Sequence, residues 1–176
     1  MKLVIINRGV PGGGKSTFSA IMKKLAEKLG LTCSVHCTDD LFMEDGEYKF
    51  DFRKLGFNHK KNFQNFKAAL DAESNIAICD NTNTKPKDYK KYALTASETG
   101  YKVLEVIFLP DTEENHNKRN THGVPAEVIA NMIHNLNNNL PSEFADDQIK
   151  VNPNVQYKTF DDKVAELAKS IISDHQ

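Results

Sequence analysis

The chain of 176 residues has no tryptophan and only three cysteines. Cys33, Cys37 and Cys79 are an odd set without C-x-x-C spacing, which argues against a disulfide framework or a zinc site and for reduced thiols of a cytoplasmic protein. No apolar run approaches the roughly 20 residues that span a bilayer, so no membrane partner is expected. The start of the chain carries one lysine and a very short apolar run before a set of glycines, which reads as a first strand rather than a signal peptide. Charge of one sign is also missing: 23 basic residues face 24 acidic ones. That balance argues against a protein coating nucleic acid without specificity, but leaves room for a local groove that holds a few nucleotides. Without tryptophan, any stacking on a base would fall to phenylalanine or tyrosine, and Phe42, Tyr48, Phe50 and Phe52 cluster in one segment. The same aromatics can equally pack a core beneath that segment. No repeat or linker is visible, and the length suits a single domain over residues 1–176.

What is present begins with Gly9-Val10-Pro11-Gly12-Gly13-Gly14-Lys15-Ser16, a G-x-x-x-x-G-K-S phosphate loop followed by Thr17. The apolar run Leu3–Ile6 precedes it and an amphipathic segment from Lys15 to Leu29 follows, the strand–loop–helix context such a loop needs. Glycines let successive backbone N–H groups turn inward around a phosphate, and the next helix offers its positive end. Gly12, Gly13, Gly14, Lys15, Ser16 and Thr17 are therefore the expected nucleotide-binding residues. Lys15 is suited to the outer phosphates and the Ser16 hydroxyl to Mg²⁺.

Further strands are expected at Thr32–Cys37, Ile76–Cys79, Lys102–Phe108 and Val155–Phe160. Between them the apolar spacing predicts helices from about Asn58 to Ala72, after Pro86, and after Asp161. This alternation implies a three-layer α/β/α sandwich of the P-loop NTPase type, with a five-stranded, mostly parallel sheet. Two segments depart from the rhythm. Residues Asp40–Phe57 read as a loop or short hairpin over the site. Residues 111–140 hold two helices with no strand between them, the position of a helical lid; Asp111 with Glu114 resembles a capping box and Pro125 suits a first helical turn.

Phosphoryl transfer also needs a carboxylate for the acceptor and a cation to follow the moving charge. Asp39 and Asp40 follow the second strand and should emerge at the carboxyl edge of the sheet beside the glycine loop. One of them can take a proton from an attacking hydroxyl while the other is structural, and Asp39 is the favoured base. Asp80 ends the third strand, where a carboxylate supports Mg²⁺ or the acceptor, or simply closes a strand ahead of a Thr84 cap. Arg119 ends the first lid helix, where it can either approach the phosphates or just complement the helix dipole. The other histidines show no metal spacing, and His36, His59, His116 and His134 are given no role.

The pieces R-G-V-P-G-G-G-K-S-T (8–17), C-T-D-D (37–40), Y-K-F-D (48–51), I-C-D-N-T-N (78–83), G-Y-K-V (100–103) and R-N-T-H-G-V-P (119–125) together resemble the polynucleotide 5′-hydroxyl kinase branch of the P-loop kinases, the group that includes the kinase module of NEDD4-binding protein 2 and bacterial and phage relatives. The likeness spans roughly residues 2–140. It implies an adenylate-kinase-like sheet, ATP with Mg²⁺ as donor, and the 5′-hydroxyl of RNA or DNA as acceptor. Lys15 and Ser16 match the family's phosphate and metal residues, Asp39 its general base and Arg119 a lid arginine, while Asp80 falls near the acceptor. Two family arginines are absent. Phe42 stands where phage members carry an acceptor-side arginine, and His122 is the nearest candidate for a second lid cation. Arg53, Lys54, Lys85 and Lys87 are the candidates to replace the missing charge. A nucleoside or metabolite acceptor, and a non-catalytic NTP-binding module, are the alternatives.

Overall fold

The computed structural model describes residues 1–120, 123–140, 142–152 and 160–175. The chain runs β1 (Leu3–Arg8), α1 (Lys15–Lys28), β2 (Cys33–His36), a 3-10 turn (Asp39–Phe42), the two-residue strands β3 (Met43–Glu44) and β4 (Glu47–Tyr48), α2 (Phe52–Asp71), β5 (Ile76–Asp80), α3 (Pro86–Glu98), β6 (Lys102–Phe108), α4 (Glu113–Arg119), α5 (Ala126–Asn138), β7 (Asp147–Val151) and α6 (Phe160–His175). Five strands form one sheet in the order β2-β5-β1-β6-β7, with every pairing parallel. β3 and β4 pair as a separate antiparallel hairpin.

β1 lies at the centre and is buried along its whole length. Alternation along a strand sends its side chains to opposite faces. Leu3 and Ile5 join one core with Phe18, Met22 and Ala26 of α1 and Val164, Ala168 and Ile171 of α6. Val4 and Ile6 join the other, with Phe66 and Leu70 of α2 and Tyr89, Tyr92, Ala93 and Ala96 of α3. Each fully buried aliphatic side chain contributes roughly 1.5–3 kcal/mol, and these two layers cover both faces of the sheet.

Three expectations are corrected. The fifth strand is Asp147–Val151, paired to β6 in register Leu104↔Asp147. Of the segment expected in that role, residues 155–159 lie outside the described residues and Phe160 opens α6. β7 is hard to read in the sequence because its pattern is polar, with only Val151 fully buried. The second helix starts at Phe52, not Asn58, because Asp51 caps it by accepting from the Arg53 N–H at 2.9 Å. Its first turns show no apolar stripe: Phe52 and Phe57 are exposed. The hairpin expected within Asp40–Phe57 is present as β3–β4. In the lid, Thr112 rather than Asp111 is the cap of α4, its hydroxyl accepting from the Asn115 N–H. Glu114 turns outward to Lys118.

Candidate active site

The phosphate loop takes the shape its glycines allow. Gly12 and Gly14 have φ of 70° and 93°, a left-handed backbone that a side chain resists. Gly14 is the cap residue of α1. Space as well as torsion excludes larger residues: a Cβ on Gly13 would stand 3.0 Å from the Val10 carbonyl, and one on Gly12 would stand 2.9 Å from Arg119 Cβ. Lys15 is buried and its ammonium donates to the Val10 carbonyl at 2.9 Å. Burial pulls its pKa down, while the carboxylates nearby, Asp80 first and then Asp39, act in the other direction. Both are thus within electrostatic reach of one ammonium, and the neighbouring Cys37 thiol, pushed up to about 12 by burial, stays neutral. Ser16 and Thr17 at the start of α1 remain exposed.

Asp80 is buried at the tip of β5, opposite Asn7 of β1 in the register. Asn7 Nδ2 donates to Asp80 Oδ1 at 3.1 Å and to Ser19 Oγ at 2.9 Å, tying the two strand tips to α1. The loop after β5 is held by Asn83, whose left-handed backbone (φ 48°) lets its amide donate to the Asn7 carbonyl at 2.7 Å. Asp39 begins the 3-10 turn after β2 and is half-buried. Tyr48 of the hairpin donates to Asp39 Oδ1 at 3.4 Å, and burial together with Asp39 pushes the phenol up to about 12, so it stays a neutral donor. Phe42 is buried against Tyr48 and Phe50, so of the aromatics considered for stacking it serves the core beneath the hairpin, while Phe50 and Phe52 are exposed.

The lid rests on the phosphate loop through a residue given no role from the sequence. His116 of α4 is 1% exposed. Its Nδ1–H donates to the Pro11 carbonyl at 3.0 Å and its Nε2 accepts from the Asp111 N–H at 2.9 Å, which fixes the neutral tautomer. Burial lowers its pKa. Arg119 is carried to the rim of the loop, but its guanidinium donates to Asp111 Oδ2 at 3.1 Å and to the Asn115 carbonyl at 3.0 Å. The other lid helix is tied to the sheet by Arg8. This side chain is wholly buried and paired with Glu105 at 3.0 Å. It also donates to the carbonyls of Asn83 and Asn139, the latter at the end of α5, and stacks 4.6 Å from the Tyr89 ring. Arg8 stood in the sequence motif without a role, and its signal there was a charged residue ending a strand that opens with four apolar residues. His122 lies outside the described residues.

The site therefore brings Lys15, Asp39 and Asp80 to one edge of the sheet, keeps Ser16 open to solvent, and holds Arg119 nearby in an ion pair. A central parallel strand feeding a glycine cradle, with a helical lid over it, is the fold of the P-loop kinases. The solved structures agree. APS kinase CysC of Mycobacterium tuberculosis in complex with AMPPNP and APS superimposes with a TM-score of 0.61 at 14% identity, covering 98% of this chain and 96% of that one. A sugar kinase from Janibacter sp. HTCC2649 gives 0.61 at 17% identity, covering 98% and 95%. A fungal RNA kinase gives 0.59 at 15% identity, covering 98% and 84%. More narrowly, residues 1–172 match the family described as chromatin associated protein KTI12, and the chain belongs to that family. NEDD4-binding protein 2 of Homo sapiens is 33% identical over 136 residues, 74% of this chain. The matched stretch is 7% of that relative's length.

Proposed function

We propose that the protein is an ATP-dependent phosphotransferase that moves the γ-phosphate to the 5′-hydroxyl of RNA or DNA. The observation that carries this reading is the placement of Asp39, just after the tip of β2, and of buried Asp80, at the tip of β5, on the same sheet edge as the buried Lys15 of the phosphate loop. A phosphate cradle alone would serve any NTP-binding protein. A carboxylate from a second strand, steadied by a phenol, supports an acceptor that loses a proton.

In this reading Lys15 and the loop amides bind the outer phosphates, with the ammonium exchanging its bond to the Val10 carbonyl for phosphate oxygens. Asp39 takes the hydroxyl proton as the acceptor oxygen bonds to the γ-phosphorus, and the bond from that phosphorus to the β–γ bridging oxygen breaks to release ADP. Tyr48 holds Asp39 in place by donating to one oxygen and leaving the other for the acceptor. Arg119 contributes only after its exposed side chain leaves Asp111. The donor set fits a hard divalent ion: the exposed Ser16 hydroxyl and the Asp80 carboxylate supply oxygen, as Mg²⁺ requires. Bound there, Mg²⁺ would offset charge on the phosphates. Three free thiols, two of them half-buried and one buried, support a reducing compartment such as the cytosol.

The test is transfer from γ-labelled ATP to 5′-OH RNA, 5′-OH DNA, nucleosides and sugar nucleotides. Label is expected on a polynucleotide end. Asp39→Asn is expected to lower transfer by roughly 10²-fold or more while ATP affinity stays within a few-fold. Label on none of the acceptors, with ATP binding intact, would leave an NTP-binding module. Label on a nucleoside alone would favour the small-molecule reading, which the near-zero net charge also supports.

A further inference from the structure

Beside the site lies a cavity of about 560 Å³ that the phosphate loop does not line. Its walls come from the β5–α3 loop, the start of α3, His59 of α2, and Asn131 and Asn135 of lid helix α5. Lys85, Lys87 and Lys91 face it. One carboxylate lines it among the described residues, Asp88, and that group is engaged in accepting from the Lys85 N–H at 3.0 Å. The balance inside is strongly positive in a chain whose total charge is close to zero.

Two residues of the cavity wall are hydrogen-bonded to the proposed acceptor side of the site. His59 Nδ1 is 3.1 Å from Thr38 Oγ1, and the Thr38 N–H donates to Asn81 Oδ1 at 3.0 Å. Thr38 immediately precedes Asp39, so two cavity residues hold the neighbour of the proposed base, Asn81 by its backbone N–H and His59 by its hydroxyl. The four cations considered as replacements for the missing family arginine now separate. Arg53 is bound by both oxygens of Asp51, and Lys54 pairs with Glu44 at 2.7 Å. Lys85 and Lys87 make no ion pair among the described residues and open on the cavity. Lys91 lies over the Phe63 and Tyr92 rings at 4.8 and 5.3 Å, which fixes its stem against the wall.

We infer that this cavity is an anion subsite in which Lys85 and Lys87 hold a phosphate group of the acceptor, with Asn131 and Asn135 of α5 closing over it. The inference rests on the reading of Asp39 as the acceptor-side base and adds the residues that select the acceptor. A lysine pair suits this task because each ammonium is a mobile point charge that follows a flexible ligand. Placing the second wall on α5 makes acceptor binding and lid position one event. The phosphate can come from a polynucleotide backbone or from a small nucleotide.

The experiment is direct binding, without ATP, of a fluorescein-labelled 5′-OH hexaribonucleotide and, by displacement, of a nucleoside 3′-monophosphate and an uncharged nucleoside, between 50 and 200 mM salt. Lys87→Glu, an exposed change that leaves the core untouched, is expected to weaken the hexanucleotide at least ~10-fold and to flatten the slope of log K against log salt by about 0.7, the loss of one single-strand phosphate contact. Lys85→Ala is expected to act in the same direction. Arg53→Ala and Lys54→Ala should change binding less than 2-fold. Displacement by the monophosphate but not the nucleoside points to a small nucleotide as sufficient ligand; displacement only by longer strands points to the polynucleotide backbone. Binding unchanged in Lys87→Glu, or equally weakened in Lys54→Ala, overturns the subsite, even if transfer to a 5′-end is intact. Salt-sensitive binding that needs Lys87, in a protein that transfers phosphate to nothing, would instead sink the kinase reading and leave the subsite standing.

Discussion

The phosphate loop and the proposed acceptor side of the site are built in different ways. The phosphate loop is one run of consecutive residues. Its shape comes from backbone torsions at Gly12 and Gly14 and from a bond spanning five residues, Lys15 to Val10. The acceptor side and lid are assembled from distant pieces: Thr38 to Asn81 across 43 residues, His116 to Pro11 across 105, and Arg8 to Asn139 across 131. A local device tolerates changes elsewhere in the chain. A long-range one inherits every weakness of the sheet that carries it, and it is also free to move when one of its few ties is released. The cradle thus depends on local torsion and the lid on a few distant ties.

Arg8 is where the two meet, so its loss should have the largest effect. Arg8→Met leaves Glu105 buried without its cation and frees the carbonyls of Asn83 and Asn139. The expected cost is about 3–5 kcal/mol in urea unfolding, with faster amide exchange in α5 as well as in the sheet. A loss under 1 kcal/mol, or one confined to the strands, would break the contrast drawn above.

Acid should come next. Burial holds His36 down at about 4 and lowers His59 and His116 from the ordinary 6.5. Between the folded and unfolded values the unfolded chain binds more protons, so stability is fully present above about pH 6.5 and falls as pH drops toward 4. His36 alone represents on the order of 3 kcal/mol over that window. Urea midpoints at pH 7.5, 6 and 5 would show it, and a flat profile would contradict the burial of His36 and His116.

His116→Ala sharpens the comparison at the smallest scale. It removes the partner of the Pro11 carbonyl and of the Asp111 N–H, at a cost of about 1–3 kcal/mol if both stay buried. Hydrogen exchange should quicken in α4 while β1 and β5 keep their protection. Equal loosening of the strands would mean that the lid is part of the core after all.

Much of this was legible beforehand. The loop, four of the five sheet strands and the two-helix lid follow from local pattern, because glycine torsions and apolar spacing act over a few residues. β7 was missed because a polar edge strand of five residues carries no apolar signature, its place being set by pairing with β6. The early start of α2 was missed because exposed Phe52 and Phe57 break the stripe while Asp51 does the capping. The capping box at Asp111 gave way to Thr112, whose hydroxyl sits one residue closer to the helix.

For the site, the chain alone marked which residues are candidates for chemistry. Lys15, Ser16, Asp39, Asp80 and Arg119 stand out because few residue types can bind phosphate, metal or a proton. Only tertiary structure decided how they are deployed: that Asp39 and Asp80 share the neighbourhood of one ammonium, that Arg119 is held by Asp111, that His116 seats the lid, and that Lys85 and Lys87, not Arg53 and Lys54, face a cavity. The physical reason is range. Side-chain chemistry is written residue by residue, whereas which charges stay unpaired depends on neighbours that the sheet brings in from a hundred residues away.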